Sequence, residues 1–270
     1  MVFKSTILSC LLISLASTVF AAPSGEKLNV PEAKFGPSDD TRIYNGEKVN
    51  SGEMPFVLRL SLKKNGSYYR CTGSLIAKDA VLTAAHCLDG KEGATVHYGN
   101  NQSVNSKRLV MHPRYRQTGY NDVGLIFLER GIDVKPVVID TNIPKEFDDM
   151  TAAGYGQTEK GGSSNQLLKI DIEVSDYKTC RDNNGHFTGF DGPELCTNPG
   201  TKKTTCNGDS GGPYLTGGTG NYKLLGVNSR KIGPNHTGKD YENCGEERSI
   251  TFFGRAGHHI KWIKEEGANI

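Results

Sequence analysis

Cys206-Asn207-Gly208-Asp209-Ser210-Gly211-Gly212-Pro213 sets one hydroxyl among glycines, directly after a carboxylate. A serine hydroxyl is a weak nucleophile at neutral pH. It needs a base to take its proton and donors to hold the oxyanion that forms on attack. Gly208 and Gly211 open backbone conformations closed to other residues, and the N–H groups of Gly208 and Ser210 are the candidate oxyanion donors. Alone, the stretch reads first as a surface turn, because Gly, Asn, Asp and Ser dominate turns.

Two upstream stretches change that reading. Thr83-Ala84-Ala85-His86-Cys87 offers a histidine, and Asn121-Asp122-Val123-Gly124-Leu125-Ile126 offers an aspartate at the head of an apolar run. Each is weak singly, since a lone His is usually structural and a lone Asp before a strand is usually a turn residue. In the order His86, Asp122, Ser210 they match one known chain order of the hydrolytic triad and differ from the subtilisin and α/β-hydrolase orders. With Arg42-Ile43-Tyr44-Asn45-Gly46, these motifs make the chain from about Ile43 to its C-terminus resemble the trypsin/chymotrypsin-like serine proteases.

The resemblance implies an all-β fold of two packed six-stranded antiparallel β-barrels with a C-terminal α-helix. The first barrel is expected at about 43–135, the second at about 136–254 and the helix at about 256–267. Composition agrees, with 33 glycines and few segments of helical period. The alternating run Phe56 to Leu62 reads as a half-buried strand closed by the hairpin signal Lys63-Lys64-Asn65-Gly66. Val123 to Leu128 reads as a strand buried on both faces, His97 to Ser106 as a polar loop, and Asp133 to Asp140 as the crossover between halves. His97 and His112 read as structural.

Residues 1–21 read as a secretory signal: Lys4, an apolar run broken by hydroxyls, then Val19-Phe20-Ala21 as the cleavage site. A membrane anchor is the competing reading, and the run is short for one. Of seven cysteines, loss of Cys10 leaves six, an even number suited to an oxidising compartment. Residues 22–42 read as a pro-peptide. The resemblance implies cleavage after Arg42, with the new amine of Ile43 folding inward to pair with Asp209. It also implies the disulfides Cys71–Cys87, Cys180–Cys196 and Cys206–Cys244; spacing alone does not choose among the pairings.

Specificity departs from the family's common patterns. Where trypsins carry an Asp six positions before the nucleophile, this chain has Thr204, followed by Thr205. The family's Ser-Trp-Gly substrate strand aligns with Ser229-Arg230-Lys231. Arg230 and Lys231 would narrow the pocket mouth or attract an acidic side chain, so apolar, small and acidic preferences all stay open. The same departures keep a second reading: a weak or inactive homologue acting as a binding or inhibitory module. An esterase or lipase would need the nucleophile before the histidine, in a G-x-S-x-G elbow.

No cofactor is expected. The chain lacks a paired C-x-x-C zinc spacing, and Gly99 to Ser103 carries no carboxylate for calcium. The formal net charge of +2 points to neither nucleic acid nor an anionic membrane. Expected partners are protein or peptide substrates, protein protease inhibitors, and an activating protease unless the chain cuts itself; the protein is expected to be a secreted, extracellular monomer. Asn65, Asn101 and Asn235 head sequons in predicted loops.

Overall fold

A computed structural model of the chain describes Ile43, residues 46–157, 165–198 and 203–232, Cys244, and residues 248–270. The expected signal, the pro-peptide with Arg42, and Asn235 lie outside the described residues.

Among the described residues, fourteen strands and a few short helices follow in chain order. They are β1 (Glu47–Lys48), β2 (Val57–Lys64), β3 (Ser67–Ala77), β4 (Ala80–Thr83), α1 (Ala85–Leu88), β5 (Gly93–Tyr98), β6 (Gln102–Met111), α2 (Tyr115–Thr118) and β7 (Gly124–Leu128) in the first half. Then come β8 (Val138–Ile139), β9 (Asp149–Gly154), β10 (Leu168–Glu173), α3 (Tyr177–Asn183), β11 (Glu194–Cys196), β12 (Pro213–Thr216), β13 (Lys223–Ile232), β14 (Ile250–Arg255), a 3₁₀ turn at Ala256–His259 and α4 (Ile260–Glu265).

Strands β2-β3-β4-β7-β6-β5 close into a barrel. Leu58, Leu60 and Leu62 point inward and are fully buried with Leu75, Leu82, Val96 and Leu125, as a period of two demands of a strand with one wet face. The β2–β3 turn is Asn65-Gly66, with φ of 50° and 75°. Both central residues are left-handed, which matches the twist of the flanking strands. The expected loop at His97 to Ser106 is instead a strand pair with a short turn: His97 lies opposite Ser103 and Val96 opposite Val104. Only Val96 and Val104 of this pairing turn inward and are buried, so the apolar alternation is too sparse to read from the residues.

The second sheet runs β1-β10-β9-β12-β13-β14-β11, with β8 added parallel to β13. Without β1 and β8 it is the expected set of six strands, and an isolated bridge from Val174 to Thr197 joins β10 to the far end beyond β11. The first few residues of the N-terminal half belong to this second sheet, since β1 pairs with β10. Glu53 fixes that segment further, accepting from Lys169 Nζ at 2.7 Å and from the Tyr222 hydroxyl at 3.0 Å. The three cysteine pairs are those expected: Cys71–Cys87, Cys180–Cys196 and Cys206–Cys244.

The C-terminal helix is shorter than expected, a 3₁₀ turn leading into α4, and it docks on the first barrel. Arg108 lies over the Phe127 ring at 4.1 Å and donates to Glu266 Oε2 at 3.1 Å and to the Glu266 carbonyl at 2.5 Å. No helix among the described residues is long and apolar enough to cross a membrane. Arg108→Ala removes both the aliphatic cover and the charged contact, and is expected to cost about 1 kcal/mol. Fluorescence of Trp262, the chain's single tryptophan, reads the denaturant midpoint; an unshifted midpoint counts against the clamp.

Candidate active site

His86 sits on α1, reached by a sharp turn out of β4. The approach is close because Ala84 and Ala85 are fully buried and β7 begins with Gly124, where an added Cβ would lie 2.7 Å from Leu88 Cδ1 and 3.1 Å from the Val110 carbonyl. A glycine at that point lets β7 run beneath α1, and Asp122, two residues earlier, comes under the imidazole. Asp122 is 3 % exposed. Its Oδ1 accepts the His86 backbone N–H at 2.8 Å and its Oδ2 accepts His86 Nδ1–H at 2.7 Å. A carboxylate only accepts, so Nδ1 carries the proton of this bond, and a neutral ring in this tautomer has its lone pair on Nε2.

A further donor to Asp122 comes from Ser229, whose hydroxyl reaches Oδ2 at 2.7 Å. Burial pushes the Asp122 carboxyl up, but the hydrogen bond and charge of His86 and the bonds from Ser229 and the His86 backbone outweigh it, and the group stays below its usual range. By sequence, Ser229 reads only as part of the substrate strand. Its contact with Asp122 crosses from β13 to the other barrel, and no local signal announces it.

Ser210 lies in the loop before β12 and is partly exposed. Its carbonyl accepts Thr72 N–H at 2.9 Å, the Thr72 hydroxyl donates to the Gly208 carbonyl at 2.9 Å, and the Thr83 hydroxyl donates to the Thr72 carbonyl at 2.9 Å. Thr72, which belongs to no sequence motif, thus clamps the loop to the first barrel. Gly211 has φ +78°, and an added Cβ would fall 2.0 Å from Thr83 Oγ1 and 2.5 Å from the Thr72 carbonyl. The Cys87 sulfur lies 3.7 Å from His86 Nε2 and 3.7 Å from the Ser210 carbonyl oxygen, so Ser210 and the imidazole share one neighbour. The structure's hydrogen bonds do not include one from Ser210 Oγ to Nε2; in a free site such a bond is often long and tightens with substrate. Among the described residues the N–H groups of Gly208 and Ser210 have no acceptor.

Cys71, His86 and Cys87 present ligand-type atoms within 4.8 Å of one another. The two sulfurs are bonded to each other and are not thiolates, so this cluster is no metal site.

Asp209 points away from the surface and is 1 % exposed. Oδ1 accepts Gly156 N–H at 2.7 Å and Oδ2 accepts Cys206 N–H at 2.8 Å. Gly154 and Gly156 are required to be glycine here, because an added Cβ would stand 2.2 Å and 2.4 Å from the carboxylate. Among the described residues no cation pairs with it, and burial raises its pKa to about 7 against the two backbone bonds. Ile43 is fully buried beside Met150, Leu168, Leu195 and Tyr214, in the same half of the molecule.

The substrate positions come out unevenly. Thr204 and Thr205 are buried at 5 % and 6 %, with Thr205 Oγ1 3.5 Å from Thr251 Oγ1. The space they border with Ile170, Tyr214 and Ser249 is only about 10 Å³, room for a single water. Arg230 does not offer a loose charge at the pocket mouth. It forms a fork with Glu194 at 2.5 and 2.9 Å, packs over the Phe252 ring at 4.5 Å and faces the Tyr120 ring at 5.3 Å. Glu194 is 3 % exposed and also accepts from Asn184. The acidic-side-chain reading therefore loses its Arg230 half, since that charge is already neutralised. Lys231 is half-buried on β13. Asn65 and Asn101 both occupy exposed turns with left-handed backbone.

Residues 43–263 match the protein family described as Trypsin. Among curated proteins the chain is similar to "Trypsin epsilon" of Drosophila erecta, 30% identical over 98% of each chain. It is also similar to "Chymotrypsin" of Phaedon cochleariae, 30% identical over 88% of this chain and 86% of the other, and to "Lectizyme" of Glossina austeni, 28% identical over 84% and 87%.

Two outcomes follow from these buried charges. Asp209 has a folded pKa raised above its unfolded value, so the native state holds the extra proton. Its contribution to stability is present below about pH 4 and is lost as pH rises through about 7. Thermal melts of uncut Ser210→Ala across this window should fall with pH more steeply than those of the same chain carrying Asp209→Asn; parallel curves would refute the assignment. Arg230→Ala leaves Glu194 buried without its cation and should cost roughly 3 kcal/mol, read from urea midpoints, whereas Arg230→Lys should recover part of the loss.

Proposed function

This chain belongs to the trypsin family of serine proteases, and from that premise we propose that it is a secreted endopeptidase, made as a precursor and activated by cleavage after Arg42. The observation that carries the reading is the buried Asp122 carboxylate holding His86 Nδ1–H at 2.7 Å. That bond fixes the tautomer in which Nε2 is a base.

In the proposed reaction Ser210 Oγ attacks the substrate carbonyl carbon while its proton passes to His86 Nε2. Asp122 stabilises the imidazolium that results. The N–H groups of Gly208 and Ser210 receive the oxyanion, each such donor being worth about 3 kcal/mol in known sites. Nε2 then returns the proton to the leaving amine. Water hydrolyses the remaining ester by the same route in reverse.

Cleavage after Arg42 would supply an ammonium at Ile43 to a carboxylate that is buried without a cation among the described residues. A charge pair in that place costs less than an isolated anion, which favours one arrangement of the Gly208 loop. The Thr204 position is neutral and small, which argues against a Lys or Arg in the pocket, and Arg230 is committed to Glu194. Uncharged side chains are the proposed preference. The chain acts as a monomer on protein substrates, is met by protein inhibitors, and needs an activating protease or its own activity. No cofactor enters the reaction.

Labelling by a fluorophosphonate tests the reading. The protein cut after Arg42 is expected to label at Ser210, the Ser210→Ala variant not at all, and the uncut chain far more slowly. His86→Ala should slow labelling by roughly a thousandfold. A folded, cut protein that stays unlabelled would instead make this a non-catalytic binding homologue.

A further inference from the structure

Ser229 reaches Asp122 from an irregular place on β13. Asn228 lies opposite Phe253 and Arg230 opposite Phe252 on β14, so Ser229 is an extra residue with no partner across the ladder. An extra residue of this kind bends the strand and re-aims its side chain. Here the hydroxyl leaves the second sheet and donates to Asp122 Oδ2 at 2.7 Å, the same oxygen that accepts His86 Nδ1–H. Such a bulge is held only as well as its two flanks.

The flank before it is main chain. The Asn228 carbonyl accepts Gly211 N–H and the Asn228 N–H donates to the Gly212 carbonyl, both at 2.8 Å, so this side is tied to the loop that carries Ser210. The flank after it depends on a side chain. Arg230 makes its fork with Glu194 at 2.5 and 2.9 Å and lies over the Phe252 ring at 4.5 Å. Glu194 stands on β11, which pairs with β14 from the other side, so the fork spans β14 and fixes Arg230 to a third strand. A buried pair of this kind adds little net stability over packed apolar side chains. What it supplies is a fixed geometry after the bulge.

Glu194 is joined to the segment of Asp122 as well. Its Oε2 accepts from Asn184 Nδ2 at 2.9 Å, Asn184 Oδ1 accepts His186 N–H at 3.1 Å, and the His186 ring meets the Tyr120 ring at 4.8 Å. Tyr120 stands two positions before Asp122 and faces the Arg230 guanidinium at 5.3 Å. Two routes therefore run from one buried carboxylate to Asp122, one through β13 and one through the loop before β7, and together they close a ring of contacts around it. Against burial, the hydrogen bond and charge of His86 and then the Ser229 hydroxyl hold the Asp122 carboxyl below its usual range. Loss of the hydroxyl leaves Oδ2 to the imidazole alone and alters the Nδ1–H bond.

We propose that Arg230 and Glu194 are positioning residues for the reaction: their fork holds the bulged Ser229 hydroxyl on Asp122 Oδ2, and through Asp122 it sets the His86 imidazole. The effect on rate rests on the protease reading; the effect on the Asp122–His86 bond does not.

In the Ser210→Ala chain cut after Arg42, the proton resonance of His86 Nδ1–H reports the bond to Asp122 without catalysis. S229A should displace it. E194Q/R230Q, which replaces the fork by two neutral amides and leaves no buried charge unpaired, should displace it in the same direction, and S229A/E194Q/R230Q should move it no further. With Ser210 intact, cut E194Q/R230Q should label with fluorophosphonate roughly tenfold more slowly, as for one lost hydrogen bond to a charged group, and adding S229A should slow it by less than S229A does alone. A folded E194Q/R230Q protein with the parent's resonance and labelling rate overturns the proposal, and so do effects of the fork and of Ser229 that multiply. Should E194Q/R230Q not fold, R230K, which keeps the charge without the planar fork, should displace the resonance part of the way, and a parent-like resonance there overturns it. The two readings fail separately. A protein that labels but whose resonance ignores the fork refutes the positioning alone, and a resonance that follows the fork in a protein that never labels upholds the contacts while refuting the protease reading.

Discussion

The two barrels meet at a backbone contact with no slack in it. The Ser210 carbonyl accepts from Thr72, whose own carbonyl and hydroxyl bond Thr83 and Gly208. The chain at Gly211 passes so close that not even a methyl group fits. His86 lies three residues beyond Thr83 on the first barrel, while Ser210 belongs to the second. Their relative position is therefore set by one main-chain hydrogen bond, from Thr72 N–H to the Ser210 carbonyl, braced by two buried threonine hydroxyls that bond main-chain carbonyls. Beta strands on either side hold those main chains rigid. Burial of Asp122 between α1, β7 and Ser229 of β13 then orients the imidazole from below.

A second constraint is electrostatic. Glu194 and Asp209 are both carboxylates with almost no exposure, and the fold treats them differently. Glu194 has a guanidinium fork and an amide, a complete set of partners in the sense that buried charges require. Asp209 has two backbone donors and, among the described residues, no cation. A buried carboxylate compensated in this way would be stabilised by a cation. On the proposed activation, that asymmetry would separate a structural ion pair from a site that cleavage completes.

Much of this was legible in the residues because the motifs are local. Gly208 to Pro213, Thr83 to Cys87 and Asp122 onward each carry their geometry within a few positions, and the β2–β3 turn was written in Asn65-Gly66. What stayed hidden depends on partners far apart in sequence. Arg230 looked like a loose cation because Glu194 is 36 positions away, and Ser229 looked like a substrate residue because Asp122 is 107 positions away. Thr72 had no motif at all. The strand pair around His97 was missed for a different reason: its outer face is wet, so its residues are those of a loop, and backbone pairing with β2 makes it a strand. The extra strands β1 and β8 contain two residues each, too few for any period to show.

The anchoring of residues 47–53 has a kinetic meaning. β1 pairs with β10, and Glu53 is held by Lys169 and Tyr222, so a chain end created at Ile43 would hang only a few residues from a fixed point. At about 3.4 Å per residue such a tether reaches no more than roughly 14 Å. Within so small a volume the effective concentration of the new ammonium is in the millimolar range or above. Its docking would then be a first-order step whose rate is independent of dilution, and a free peptide beginning with Ile would have to be present at comparable concentration to compete for the same carboxylate.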